Sequence, residues 1–230
     1  MKITRQRLSQ IIKEELAANI LNEQSGLHNR DEGPHRGILL AGDSQMSGYF
    51  GDALSRAMAV EKTWWRWGAP GKAIAKNIDR HIQGATEGAV VNFGDNDWEN
   101  PGVEEIVSTL KKAPIYQDDP KKIVVIGPPP TFRPSNRYME RKERKYISLD
   151  ESHQYYWKKI WEGKKEANET IGGGVEAAGM TFINPYDYIP SVFPELEDEA
   201  ITFDGVHYAK KYSDPFVDAI RTKLPGKTRE

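Results

Sequence analysis

The chain of 230 residues carries 32 basic and 34 acidic side chains, a net charge of −2 with His neutral, and is 38% hydrophobic and 10% aromatic. That length suffices to bury a core, that composition excludes disorder along the whole chain, and near-neutral charge argues against a dedicated nucleic-acid binder. With no cysteine, disulfides, thiolate metal sites and thiol catalysis are excluded, and no apolar stretch reaches the roughly 18 residues that a membrane-spanning helix requires.

Residues 1–23 read as an amphipathic helix. Leu8, Ile11, Ile12, Leu16 and Ile20 recur at three- and four-residue spacing and share one face, and Thr4 is a suitable N-cap. Lys13, Glu14 and Glu15 interrupt what a secretory signal would need as an apolar core, so a soluble protein without a signal peptide is expected. Residues 24–36 are polar, contain Gly and Pro and lack periodicity, which marks a linker. An isolated helix of this length is marginal in water and must bury its apolar face by docking, dimerising or lying on a membrane surface.

From residue 37 to residue 230 the pattern is that of one domain. Continuous apolar runs at 37–41, 88–93, 123–126 and 180–184 read as strands buried on both faces, and a further strand ends at Trp64 to Trp67. Helix-like stretches at 46–58, 73–83, 102–112, 150–170 and 213–223 alternate with them. The expected fold is α/β, a three-layer α/β/α sandwich around a mostly parallel five-stranded sheet, with chemistry on loops at the carboxyl ends of the strands. Segment 128–150 opens with Pro128-Pro129-Pro130 and then becomes dense in Arg, Lys and Tyr, so it reads as a loop or lid ahead of a charged helix.

Those strand ends carry the chemistry-bearing residues. Gly42-Asp43-Ser44-Gln45 follows the first strand, which places an exposed serine on a strand-to-helix turn near a helix N-terminus, where developing negative charge is favoured. Gly68-Ala69-Pro70-Gly71 follows the second strand and Gly94-Asp95-Asn96-Asp97 the third. The Asn96 amide offers N–H donors. Asp204-Gly205-Val206-His207 precedes the last helix, a spacing at which a carboxylate can orient an imidazole for general-base work. No grouping of His, Asp and Glu has metal-ligand spacing, so neither metal nor cofactor is expected.

Taken in order, these four blocks resemble those of the SGNH (GDSL-type) serine hydrolases, over about residues 37–224. The resemblance implies a flavodoxin-like α/β/α fold and an ester hydrolase that works through an acyl-enzyme. It implies Ser44 as nucleophile, His207 as base oriented by Asp204, and an oxyanion hole built from the backbone N–H groups of Ser44 and Gly71 with the Asn96 side chain. Gly71 is preferred over Gly68 because it opens a helix-forming run, where N–H groups are free. The chain departs from the family at Gln45, where Leu or Ile is common, and at Pro70, where a polar residue is common.

Gln45, Trp67, Trp98, Phe132 and Arg133 are the candidate substrate contacts, because aromatics near such a site stack on sugar rings or line an acyl slot. A short-acyl, acetyl ester on a carbohydrate is the expected substrate. The alternatives are a lipase, thioesterase or acyltransferase with the same site, or a phage-associated structural or carbohydrate-binding protein on the same fold. The last of these has its own resemblance. Met1-Lys2-Ile3-Thr4 with Ile11-Ile12-Lys13-Glu14-Glu15-Leu16 resembles leader segments of tailed-phage virion proteins, and Leu21-Asn22-Glu23 matches the Leu/Ile-x-Glu pattern that prohead proteases cleave. It implies a leader cut after Glu23, and residence in the cytoplasm or in a virion.

Overall fold

The computed structural model describes residues 37–65, 68–130, 138–140, 145–147, 151–192, 207–208 and 210–226, with the backbone alone at 64, 138–140, 145–147, 151–158 and 189–190. The N-terminal helix and linker, the leader site at Glu23, and Trp67, Phe132, Arg133 and Asp204 lie outside the described residues.

Seven strands are described: β1 Ile38–Gly42, β2 Trp64–Trp65, β3 Gly88–Asn92, β4 Ile123–Ile126, β5 Tyr138–Glu140, β6 Lys145–Ile147 and β7 Thr181–Ile183. The described α-helices are α1 Tyr49–Met58, α2 Gly71–Ile78, α3 Val103–Leu110, α4 Pro114–Asp118, α5 Glu151–Ala177, α6 Ile189–Val192 and α7 Lys210–Ile220. Five strands form one sheet in the order β2-β1-β3-β4-β7, and every pair in it is parallel. This is the expected fold, with β2 contributing only a two-residue edge.

Side-chain alternation along the strands builds the layers. Ile38, Leu40, Val90, Val124 and Ile126 point to one face and pack with Phe50 and Leu54 of α1 and Phe216 and Val217 of α7. Leu39, Ala41, Ala89, Val91, Ile123 and Val125 point to the other and pack with Ile74 and Ile78 of α2, Ile106 and Leu110 of α3, and Ile171 and Val175 of α5. Successive strand residues face opposite ways, so an unbroken apolar run is what a sheet covered on both sides requires.

Three expectations about the elements are corrected. The charged helix expected at 150–170 continues to Ala177 through Gly172-Gly173-Gly174. Three consecutive glycines favour a break, but Ile171 and Val175 are fully buried, and a Cβ on Gly172 would come within 2.7 Å of the Phe182 ring. Close packing against β7 therefore holds the helix together where propensity would end it. Segment 128–150, read as a loop, contains β5 paired antiparallel with β6 in a separate two-stranded ladder. The expected helix at 46–58 also begins with a 3₁₀ turn, Ser44–Ser47, before α1.

Candidate active site

The turn after β1 is pinned from below. The Asp43 side chain caps the 3₁₀ turn by accepting the Gln45 N–H at 2.9 Å, and the Asp43 N–H donates to the Asn92 carbonyl at the end of β3 at 3.2 Å. The Ser47 hydroxyl donates to the Ser44 carbonyl at 2.6 Å, which tightens the turn. Asn92 continues the chain of ties sideways, its amide donating to the Ile126 and Gly127 carbonyls at 3.1 Å each. Three adjacent strand ends are thus joined by capping and amide hydrogen bonds rather than by apolar contact alone. Ser44, expected to be exposed, is only 2% exposed, because the 3₁₀ turn coils it inward over the sheet edge.

Gln45, a candidate substrate contact, is 1% exposed. Its Nε2 donates to Asp95 Oδ2 at 3.0 Å, and its Oε1 accepts the Tyr208 N–H at 3.3 Å. Gln45 therefore braces the site from within rather than lining its mouth. Asp95 follows Gly94, whose φ of +98° bends the chain after β3 inward in a conformation that residues with a Cβ rarely adopt. The second Asp95 oxygen pairs with the Nζ of Lys164 on α5, and both side chains are almost wholly withdrawn from water. Burial pushes the Asp43 carboxyl well above the usual carboxylate range. The nearby Asp95 charge adds to that, while the Gln45 N–H and Lys164 oppose it.

The next two residues lie nearer the surface. Asn96 is exposed, and its Nδ2 donates to the Ala69 carbonyl at a long 3.4 Å. Asp97 is half-buried and accepts the Gly71 N–H on Oδ2 at 2.8 Å. The Gly71 N–H, expected to be free as an oxyanion donor, is therefore spent on a carboxylate. Gly71 opens α2, and a negative group is stabilised at that positive helix end. Burial raises the Asp97 carboxyl above its ordinary value against the pull of that N–H. Asp97 Oδ1 is buried without a hydrogen-bond partner among the described residues.

His207 is 6% exposed and immediately precedes Tyr208, which packs against Phe50 at 4.9 Å and Phe216 at 5.5 Å between ring centroids. Trp98, another candidate substrate contact, is partly exposed and lays its ring against Gly163 of α5. The segments carrying Ser44, Asn96 and His207 are thus linked at the carboxyl edge of the sheet, and the Gly71 turn joins them through Asp97 and the Asn96 amide. No described helix is long and apolar enough to cross a membrane.

Neither a family model nor a curated protein sequence matches the chain. Solved structures do resemble it. A candidate platelet activating factor from Streptococcus pneumonia aligns with a TM-score of 0.53 at 18% identity, covering 95% of this chain and 99% of that one. A carbohydrate acetylesterase from Sinorhizobium meliloti aligns at 0.52 and 14% identity, covering 81% and 96% respectively. An acetyl-xylooligosaccharide esterase from Geobacillus aligns at 0.51 and 11% identity, covering 84% and 96%. At these identities the likeness is one of fold, over nearly the full length of each neighbour.

Lys164 and Asp95 were not singled out in the sequence. Lys164 sits in a run dense in Lys and Glu that reads as a solvated helix face. Its register carried the signal, since Trp161, Lys164, Ala167, Asn168, Ile171 and Val175 fall on one stripe at three- and four-residue spacing, mostly buried. A lone lysine on such a stripe requires a buried counter-charge. Asp95 stands between Gly94 and Asn96 just after a buried strand, and a buried carboxylate there has the same requirement.

Proposed function

We propose that the chain is a serine esterase that hydrolyses short-acyl esters, acetyl groups on a carbohydrate, through an acyl-enzyme on Ser44. The reading is carried by one observation. The residues next to Ser44, Asn96 and His207 are joined by direct hydrogen bonds at the carboxyl edge of a parallel sheet, where α/β folds gather their chemistry. In this reading His207 takes the Ser44 proton as the hydroxyl attacks the ester carbonyl. The tetrahedral intermediate then collapses, the alcohol leaves with that proton, and water attacks the acyl-enzyme with His207 again as base. Asp204 orients His207.

Asn96 is the side-chain donor to the oxyanion, and its amide retains capacity because one of its N–H bonds is committed only at 3.4 Å. The Ser44 N–H is the backbone donor. A serine only 2% exposed favours a small acyl group over a long chain, and two of the solved neighbours are described as acting on acetylated carbohydrates. Trp98, partly exposed, is the described aromatic that suits a sugar ring.

Hydrolysis of p-nitrophenyl acetate, butyrate and octanoate by wild type and Ser44→Ala tests the reading. Turnover that falls with chain length and drops by at least about 10³-fold in Ser44→Ala is the expected result. Turnover independent of Ser44 would overturn the mechanism, and a preference for octanoate would overturn the short-acyl assignment.

A further inference from the structure

Three residues that adjoin the candidate machinery meet in one buried knot. Gln45 follows Ser44, Asp95 precedes Asn96 and Tyr208 follows His207. The Gln45 amide touches both of the others, donating to the Asp95 carboxylate and accepting from the Tyr208 backbone. We propose that Gln45 is the positioning residue that sets the mutual geometry of Ser44, Asn96 and His207, and that the Lys164–Asp95 pair holds its amide in one orientation. This inference rests on the serine-esterase reading and adds to it a determinant that touches no substrate.

The orientation argument follows from donor and acceptor chemistry. An ionised carboxylate only accepts and a backbone N–H only donates, so Nε2 must face Asp95 and Oε1 must face Tyr208. Flipping the amide would set oxygen against carboxylate and N–H₂ against N–H. A charged acceptor strengthens the first bond, and Lys164 occupies the other Asp95 oxygen, leaving that carboxylate little freedom to turn. Lys164 is itself tethered, since Asn168 on the next turn of α5 donates to both the Lys164 carbonyl at 2.9 Å and the Pro128 carbonyl at 3.0 Å. Asp43, the remaining carboxyl of the cluster, holds the Gln45 backbone N–H from the opposite side.

Stability alone does not account for such an arrangement. A buried ion pair loses much of its attraction to desolvation, and well-packed apolar residues often serve as well or better. Three catalytic groups on segments 163 residues apart at the extremes do need a common reference. One amide, next to Ser44 in the chain and bonded to the neighbours of the other two, supplies it. The Gln45 amide is engaged by Asp95 and Tyr208 and the Lys164 ammonium by Asp95, so both act through those partners.

The test compares kcat and KM on p-nitrophenyl acetate for variants that break the clamp without leaving a charge buried alone. Gln45→Met removes both ties and is expected to lower kcat about 10- to 100-fold, the scale of a misplacement near 1 Å, with KM within about two-fold. Asp95→Leu/Lys164→Met removes one tie and both charges. Asp95→Asn/Lys164→Met restores an acceptor of the same shape, and its kcat is expected to exceed that of the Leu pair about ten-fold. A merely structural role would shift the melting temperature and leave the kcat of folded protein unchanged. Equal kcat for the Asn and Leu pairs, or a folded Gln45→Met with wild-type kcat, would overturn the proposal. If Gln45→Met fails to fold, the Asn and Leu pairs decide. Loss of Ser44-dependent turnover in wild type overturns the esterase reading instead. The clamp is then judged from the NMR signals of the His207 imidazole and the Asn96 amide, which shift in Gln45→Met if Gln45 places them and stay put if it does not.

Discussion

The inner and outer halves of the candidate site are built on opposite principles. Beneath the sheet edge, Asp43, Ser44, Gln45 and Lys164 are at most 2% exposed, and the Gln45, Asp95 and Lys164 side chains hold one another in a chain of bonds. At the mouth, Asn96 is exposed with one long hydrogen bond, and Asp97 keeps a buried oxygen without a partner among the described residues. The dry half is over-determined and holds position. The wet half keeps unspent donor capacity in the Asn96 amide, as the oxyanion role proposed for it requires. The same contrast separates the ion pairs, since the side chains of Lys164 and Asp95 are 3% and 0% exposed, those of Arg56 and Asp214 62% and 57%.

Breaking the dry half should cost most in folding. Lys164→Met leaves Asp95 buried without its counter-charge and is expected to lower unfolding free energy in urea by about 3–5 kcal/mol. A loss below about 1 kcal/mol would mean that water reaches the pair. Breaking the wet half should cost turnover with little loss of stability. Asn96→Ala is expected to lower kcat by about 10²–10³-fold, with the melting temperature within a degree or two because the side chain is exposed. A large stability loss there would erase the contrast.

Asp43→Asn sharpens the comparison through pH. Burial, aided by the Asp95 charge, raises the folded-state pKa of Asp43 above its unfolded value. The stability tied to that proton is therefore whole at acid pH and is lost as pH rises through the raised pKa. Asparagine carries no such dependence, so Asp43→Asn should gain in unfolding free energy over wild type as pH rises from the ordinary carboxylate range. A gain that grows toward acid pH instead would show Asp43 held ionised by Lys164. The smallest effect is expected from Arg56→Ala, which breaks the exposed pair with Asp214 and should change stability by less than about 1 kcal/mol, and less still in high salt.

Much of this molecule is written locally. Four apolar runs become β1, β3, β4 and β7, and the turns at their carboxyl ends carry Ser44 and Asn96, because burial on both faces leaves an unbroken apolar signature that Gly and Asp terminate. The helix beyond Ile171 is not readable in the same way, since Gly172-Gly173-Gly174 weaken it locally while burial of Ile171 and Val175 and the close approach of Phe182 and Val103 to Gly172 and Gly174 come from distant parts of the chain. Gln45 stands in the sequence as a candidate substrate contact, and its bracing role is not legible there because Asp95 and Tyr208, which it joins, lie 50 and 163 residues away.

The α/β alternation, the order of the chemistry-bearing turns and the place of the Ser44 and Asn96 turns at strand ends come from the sequence alone, since they follow from periodicity and turn chemistry within a few residues. Tertiary packing alone settles that Gly71 gives its N–H to Asp97, that Ser44 turns inward, and that Lys164 meets Asp95 from 69 residues away. Those outcomes depend on how α2 and α5 dock on the sheet. A charge enters a protein interior only where docking delivers its partner, and no local pattern specifies that meeting.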